Sequence, residues 1–333
     1  MAIETTGESA SLGTQAMLRD RAMGKTVRQA ISDAVRTQVE QPDLVAKLEM
    51  LTQGWQQPAQ WPMSIRAFKD AGYLEPGDIV LMTRLGSLFS TVARVFDKSR
   101  FAHCAMVFQT PHYGDGIDKT FLIETSMKGV DLEALSEIVT PRARNRPLGT
   151  PPEFVVAIKR LETDWASLTL RRMAASRMLH FIDADDYNFR LLLSLASRRT
   201  RKLYLDLRRV FRGQAPSVGE FLRAGHKYLP AEFICSGFVQ YAYVDMVRTA
   251  IERNLIDKSY AERALREVLF RHDMDDNSPM EELMTCTPAD LANSERLSWR
   301  YLIHRGEVFR VNSSAEVETF FKTELPKRMR MRN

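Results

Sequence analysis

Among the 333 residues, one cysteine stands where its thiol could act as a nucleophile. A thiol attacks a carbonyl carbon as the thiolate, which requires a base and a third group that orients the base. Cys235 follows Pro230 closely and precedes the apolar helical pattern of residues 238–242. The start of a helix stabilises a thiolate through its dipole and its free N–H groups. The pattern therefore indicates Cys235 as a nucleophile, with a buried helical thiol as the alternative.

The residues after Cys235 are small. Ser236 and Gly237 would let a substrate approach the sulfur closely, so we predict that both line the substrate-binding site. The backbone N–H of Cys235 itself could donate to an oxyanion. The other two cysteines are weaker candidates: Cys104 lies in an apolar, strand-like run, and Cys286 has no histidine near it in sequence.

The candidates for the base and the orienting group are His103 and Glu124. His103 lies in the strand-like run FAHCAMVFQ, and Glu124 follows FLI in another such run. Because neighbouring residues of a strand face opposite sides, Cys104 should face the core if His103 faces a cleft. A histidine within a strand is more often a hydrogen-bonded core residue, and a glutamate at a strand end is more often solvated. The sequence therefore allows both a structural and a catalytic role for His103 and Glu124.

The elements that would position these residues are several consecutive strands with helices before and after them. Strand-like runs lie near residues 76–84, 101–109, 119–127 and 154–161, and helical patterns occupy 164–183, 230–254 and 258–273. This order favours an α+β fold, with an antiparallel sheet packed on helices. Residues 1–70 have helical spacing and predict a helical N-terminal extension.

Composition limits the classes of partner and compartment. The net charge of +5 is partly local, in two basic segments, 197–213 and 327–333. These segments indicate either a solvated helix and a frayed basic end, or contact with an anionic surface or a protein partner rather than with nucleic acid. No Cys-x-x-Cys pair points to zinc, and we expect neither a metal nor another cofactor. The sequence shows no long apolar stretch and no secretory leader, so we expect a cytoplasmic protein.

The order of the motifs resembles a known superfamily. GDIVL, SRFAHCAMVF, FLIETSMKGVDLEAL, FVVAIKRL and EFICSGFVQYAY, in this order, are similar to the circularly permuted NlpC-type papain-like cysteine hydrolases of the YiiX/YebB-like branch. In that branch the strand that carries the histidine precedes the helix that carries the cysteine. The resemblance implies that Cys235, His103 and Glu124 are catalytic. It also implies a small antiparallel sheet packed on the nucleophile helix.

The resemblance also implies a domain organisation. A helical extension would cover residues 1–70, the catalytic domain residues 71–310 with helical insertions at about 195–228 and 245–280, and a basic tail residues 311–333. Tyr187 falls on a family segment that precedes the cysteine, and we expect it to line the substrate pocket or donate a hydrogen bond there, with a core tyrosine as the alternative.

The implied activity is hydrolysis of an amide bond, of the peptide or γ-glutamyl type, through an acyl-enzyme. The substrate would be a peptide, amide or acyl compound. Two alternatives stay open: a lipid-directed thioesterase or acyltransferase, and a non-catalytic binding module that uses the helical and basic segments.

Overall fold

The computed structural model describes residues 61–70, 73–85, 99–110, 119–126, 129–139, 153–179, 216–224 and 234–330. The chain divides into two compact units, residues 1–57 and 58–333. All of the elements below belong to the second unit. Tyr187, the basic segment 197–213 and most of the predicted extension 1–70 lie outside the described residues.

Eight strands form one sheet, and every neighbouring pair in it is antiparallel. The order across the sheet is β1-β8-β7-β6-β2-β3-β4-β5. In chain order the strands are β1 (Met63–Ser64), β2 (Ile79–Leu85), β3 (His103–Gln109), β4 (Phe121–Ser126), β5 (Gly129–Ala134), β6 (Glu153–Leu161), β7 (Leu297–His304) and β8 (Glu307–Arg310).

Ten α-helices of very different length accompany the sheet within the described residues. They are α1 (Ile65–Asp70), α2 (Leu135–Val139), α3 (Leu168–Met178), α4 (Val218–Ala224), α5 (Cys235–Glu252), α6 (Ala261–Val268), α7 (Met280–Leu283), α8 (Pro288–Asn293), α9 (Ser314–Thr319) and α10 (Leu325–Arg330). No helix of the described part of the chain is both long and apolar enough to cross a membrane.

The central strands are covered on both faces, which explains their continuous apolar runs. Ile79, Leu81, Cys104 and Met106 pack in one core cluster, whereas their neighbours in β2 and β3 pack in a second cluster. Because side chains alternate across a strand, two buried faces require an apolar residue at nearly every position. The first cluster also contains α5, so it is the face of the sheet that bears this helix.

Helix α5 is the central helix of the fold. Its residues 235–250 are all buried, and it packs against β3 and α3. A helix that is buried on every side lies inside a protein rather than at its surface. The start of α5 is therefore held against the sheet by packing along most of its length.

A buried charge network ties the beginning of β2 to β6 and α3. Arg160 donates from Nε to Asp78 Oδ1 at 2.6 Å and from Nη2 to Asp78 Oδ2 at 2.8 Å. Glu75 accepts from both Arg160 and Arg171. Arg160 thus helps to hold the sheet together. A buried guanidinium is tolerated because carboxylates on neighbouring elements pair with it.

Lys159 joins β6 to the end of α8. Its Nζ is buried and donates to the carbonyl oxygens of Leu291, Ala292 and Ser294 at 3.1, 2.7 and 2.9 Å. The last carbonyls of a helix have no partner within the helix, so a cation there satisfies them. This contact fixes the position of α8, which follows the segment that packs on the start of α5.

The α+β prediction is confirmed, and the sheet is larger than the small sheet that we expected. Residues 61–70, which we assigned to the N-terminal extension, contain β1, which pairs with β8 in the main sheet. The predicted tail 311–333 contains α9 and α10, and its Val317, Phe320 and Leu325 are buried in the first core cluster. The predicted insertion at 245–280 begins within α5 itself, so this boundary does not separate two structural units.

Candidate active site

Cys235 is the first residue of α5. Ile234 before it has extended backbone (φ −102°, ψ 161°), so the chain turns from extended to helical at the cysteine. The first backbone N–H groups of a helix have no partner within the helix, and the helix dipole places partial positive charge there. Cys235 is 4% exposed. The sequence prediction that this thiol begins a helix is therefore correct.

His103 and Glu124 lie side by side on the sheet. His103 is the first residue of β3, Glu124 lies in β4, and His103 Nε2 is 2.8 Å from Glu124 Oε2. The carboxylate is mostly buried and the imidazole is about one-third exposed. A carboxylate accepts hydrogen bonds, so the ring N–H on Nε2 donates to it and Nδ1 remains for another partner.

The described ladder between β3 and β4 begins after His103. Among the described residues, the ladder between β3 and β4 runs from Met106 opposite Ile123 to Gln109 opposite Phe121. His103 and Cys104, at the start of β3, precede this ladder. Their backbone groups on that side are therefore available to neighbours other than β4.

The Cys235 thiol lies within hydrogen-bonding reach of the His103 side chain. Burial alone would lower the pKa of His103, but the charge and hydrogen bond of Cys235, together with Glu124, raise that pKa well above 6.5. The pKa of Cys235 is lowered well below 9.0, first by a hydrogen bond from Cys104 and then, against burial, by the charge of His103. The two shifts favour a thiolate–imidazolium pair.

Cys104 is part of this site, which the sequence reasoning missed. It is fully buried, as the alternation of the strand predicted. The core that it faces, however, is the one that contains the start of α5, and its side chain and backbone both hydrogen-bond Cys235. Burial and the neighbouring Cys235 raise the pKa of the Cys104 thiol well above 9.0. The two adjacent thiols therefore differ strongly in acidity.

A second carboxyl group near the site was also not predicted. Glu133 lies in β5, where Leu122 of β4 is its partner across the ladder. Burial and then the charge of Glu124 raise the pKa of Glu133, and the charge of His103 opposes this. Glu133 is thus an electrostatic neighbour of the His103–Glu124 pair. The run GVDLEA, which follows the Glu124 strand in the sequence, could have indicated this carboxyl group, because it places Glu133 on the adjoining strand.

Ser236 and Gly237 pack against residues 284–286 and do not face an open site. Ser236 is fully buried and its Oγ donates to the carbonyl oxygen of Cys286 at 2.6 Å. A Cβ built on Gly237 would lie only 2.6 Å from Met284 Cα. The missing side chain of Gly237 therefore lets the segment 284–286 approach α5. For this physical reason we do not propose either residue as substrate-binding. Tyr187 lies outside the described residues, so its assignment to the pocket stays a prediction.

A cavity of about 330 Å³ lies near the site but is not lined by Cys235. It is lined by Phe101, which lies two residues before His103, and by Trp299 of β7. The ring centroids of Phe101 and Trp299 are 6.1 Å apart. Arg100 and Glu318, which form a bidentate ion pair, also line it.

No model of a known protein family matches the chain, and no curated protein matches it. Among the described residues, no group of three or more histidine, cysteine, aspartate or glutamate residues has an arrangement that could hold a metal ion.

Proposed function

We propose that the protein is a cysteine hydrolase that cleaves an amide bond, of the peptide or γ-glutamyl type, through a Cys235–His103–Glu124 site. One observation carries this proposal: the Cys235 thiol at the start of α5 hydrogen-bonds the His103 side chain, and Nε2 of the same ring is hydrogen-bonded to Glu124. A nucleophile, a base and an orienting carboxylate in this order form the minimal unit of covalent acyl transfer.

In the proposed acylation step, the Cys235 thiolate attacks the carbonyl carbon of the scissile amide. The carbonyl π electrons move onto oxygen, and the backbone N–H of Cys235 at the start of α5 is a suitable donor to this oxyanion. When the carbon–nitrogen bond breaks, the His103 imidazolium gives its proton to the leaving amine. Glu124 holds the ring in position through Nε2 while Nδ1 exchanges protons.

In the proposed deacylation step, a water molecule attacks the thioester carbon. Neutral His103 takes a proton from this water, and the carbon–sulfur bond breaks to release the acid product. The thiolate–imidazolium pair is then restored. General acid–base assistance of this kind contributes about 10²–10⁴-fold to the rate.

We further propose that the fold is the circularly permuted papain-like fold of the NlpC-type hydrolases. Two features support this. The histidine strand β3 and the acidic strand β4 precede the cysteine helix α5 in the chain, and α5 packs on β3. The antiparallel sheet packed on the nucleophile helix also agrees with the architecture that this proposal requires.

Activity-based labelling tests the proposal. The native protein is treated with a limiting amount of iodoacetamide or of a peptidyl electrophile, and the three cysteines are mapped by mass spectrometry. We expect Cys235 to react much faster than Cys104 or Cys286, and His103→Ala to abolish this preference. Labelling of the unfolded protein is the control, because all three thiols should then react alike.

Two results would contradict the proposal: equal reactivity of the three cysteines in the native protein, or a Cys235 rate that is unchanged in His103→Ala. A panel of peptide, γ-glutamyl, thioester and lipid-ester substrates then identifies the bond that is cleaved. Turnover of the acyl esters or thioesters alone would replace the amidase proposal with a lipid-directed thioesterase or acyltransferase.

A further inference from the structure

The three cysteines of the chain lie in one region of the structure. Cys104, Cys235 and Cys286 are all buried, form no disulfide, and lie in the core cluster that surrounds α5. They are far apart in the sequence, on β3, at the start of α5 and just before α8. Nucleophilic catalysis requires only one thiol. The hydrolase mechanism therefore leaves a second sulfur beside the nucleophile without a function.

Cys104 and Cys235 are positioned toward each other. The Cys104 side chain hydrogen-bonds the Cys235 sulfur, and β3 packs directly on α5. Two cysteines must lie close together to form a disulfide, and the contact between these two side chains satisfies that requirement.

Cys286 is placed differently. Its Sγ contacts the carbonyl oxygen of Thr287 at 3.9 Å, and its own carbonyl accepts from Ser236. The Cys235 thiol hydrogen-bonds Cys104 and His103, whereas Cys286 acts on Cys104, through charge. Cys104 is thus the better placed of the two buried thiols to react with an oxidised Cys235.

We propose that Cys104 is a resolving cysteine, which converts a peroxide-oxidised Cys235 into a reversible Cys104–Cys235 disulfide. In the first step the Cys235 thiolate attacks one oxygen of hydrogen peroxide and the oxygen–oxygen bond breaks. Cys235 becomes a sulfenic acid, and the His103 imidazolium gives its proton to the departing hydroxide, which leaves as water.

In the second step the Cys104 sulfur attacks the Cys235 sulfur. The sulfur–oxygen bond breaks, and the hydroxyl leaves with the proton of the Cys104 thiol as water, so that one peroxide is reduced and two thiols are oxidised in total. A dithiol reductant restores both thiols by exchange. The disulfide would switch off the proposed hydrolase while preventing irreversible oxidation of its nucleophile. Only this regulatory consequence rests on the proposed function, because the sulfur chemistry needs no substrate.

Peptide mapping after peroxide treatment tests the proposal. The purified full-length protein is exposed to hydrogen peroxide, free thiols are then blocked with N-ethylmaleimide, and the products are identified by mass spectrometry. We expect the wild type to lose two hydrogen atoms and to yield a Cys104–Cys235 peptide pair that dithiothreitol reverses. In Cys104→Ala we expect Cys235 to gain two oxygens as a sulfinic acid, which dithiothreitol does not reverse.

Cys286→Ala is the matched control, since it removes a buried thiol from the same core. We expect it to form the Cys104–Cys235 pair as the wild type does. Thermal unfolding shows whether each variant is folded, and Cys104→Ser replaces Cys104→Ala if the latter is not. The proposal is overturned if the wild type forms the sulfinic acid as readily as Cys104→Ala does, or if Cys235 pairs with Cys286 instead.

These outcomes separate the two proposals. A protein that forms the disulfide but hydrolyses no substrate supports the redox assignment and counts against the hydrolase. A protein that hydrolyses amides but is irreversibly inactivated by peroxide supports the hydrolase and counts against Cys104 as resolving cysteine.

Discussion

His103 Nε2 lies 2.8 Å from Glu124 Oε2, and the Cys235 thiol lies within hydrogen-bonding reach of the same ring. One imidazole therefore joins a carboxylate on β4 to a thiol on α5. The histidine is stabilised as a cation from both sides, because each partner carries negative charge when ionised. Four predictions follow from this arrangement and from the packing that holds it.

The first prediction concerns the pH dependence of thiol reactivity. The pKa of Cys235 is lowered, so its thiolate exists at neutral pH and is lost as the pH falls through that lowered pKa. The pKa of His103 is raised well above 6.5, so the imidazolium is lost only as the pH rises through the raised pKa. We expect a plateau in the rate of Cys235 alkylation across the interval between these two pKa values.

The rate of alkylation by iodoacetamide is measured from about pH 4 to about pH 10 for wild type and His103→Ala. In the variant the rate should rise only at a higher pH than in the wild type, because the charge and hydrogen bond of His103 no longer lower the pKa of Cys235. A wild-type profile that follows an ordinary thiol throughout would show that no thiolate–imidazolium pair forms.

The second prediction concerns Glu124. Glu124→Gln keeps the shape of the side chain but removes the charge that supports the imidazolium. We expect the neutral-pH alkylation rate of Cys235 to fall by about 10–100-fold, since a hydrogen bond to a charged group contributes about 1.5–3 kcal/mol and about 1.4 kcal/mol is tenfold.

Glu133→Gln is the matched control, because it makes the same chemical change on the adjoining strand. The pKa of Glu133 is already raised, so loss of its charge should change the rate much less. Equal effects of the two substitutions would mean that the site responds to overall charge and not to the His103–Glu124 contact.

The third prediction concerns the close approach at Gly237. In Gly237→Ala the new methyl group meets the backbone of Met284, which cannot move away as the end of a flexible side chain could. We expect the free energy of unfolding to fall by about 1–3 kcal/mol, the usual cost of overpacking a core. Urea denaturation measures this loss.

Arg253→Ala, at an exposed position just after α5, serves as the comparison and should change stability by less than about 0.5 kcal/mol. If Gly237→Ala is as stable as this variant, the segment 284–286 does not pack on α5 as described.

The fourth prediction concerns the buried Asp78–Arg160 pair. Asp78→Ala leaves a buried guanidinium without its bidentate partner, and we expect a loss of about 3–5 kcal/mol in the free energy of unfolding. The control is Glu162→Ala, which breaks the partly exposed ion pair with Arg300 and should cost at most about 1 kcal/mol. A loss of similar size in both variants, measured by urea denaturation, would refute the structural role assigned to Asp78.

Much of the central sheet could be predicted from the sequence. The apolar runs of β2, β3, β4 and β6 are continuous because both faces of the sheet are buried, and such runs are visible without coordinates. The helix that follows Ile234 was likewise visible in its apolar pattern. Strands β7 and β8 were not predicted, because polar and charged residues such as Arg300 and Arg310 interrupt their apolar pattern.

The sequence by itself determined which residue types were available: one thiol at the start of a helix, one histidine and one glutamate in strands. It also determined that Cys104 is buried, because strand alternation decides the face of each side chain. Only the tertiary structure decided that the buried face of β3 receives the start of α5, so that Cys104 meets Cys235, and that Gly237 receives the backbone of Met284. Periodicity shows that a side chain is buried, but the packing of distant segments selects its neighbours.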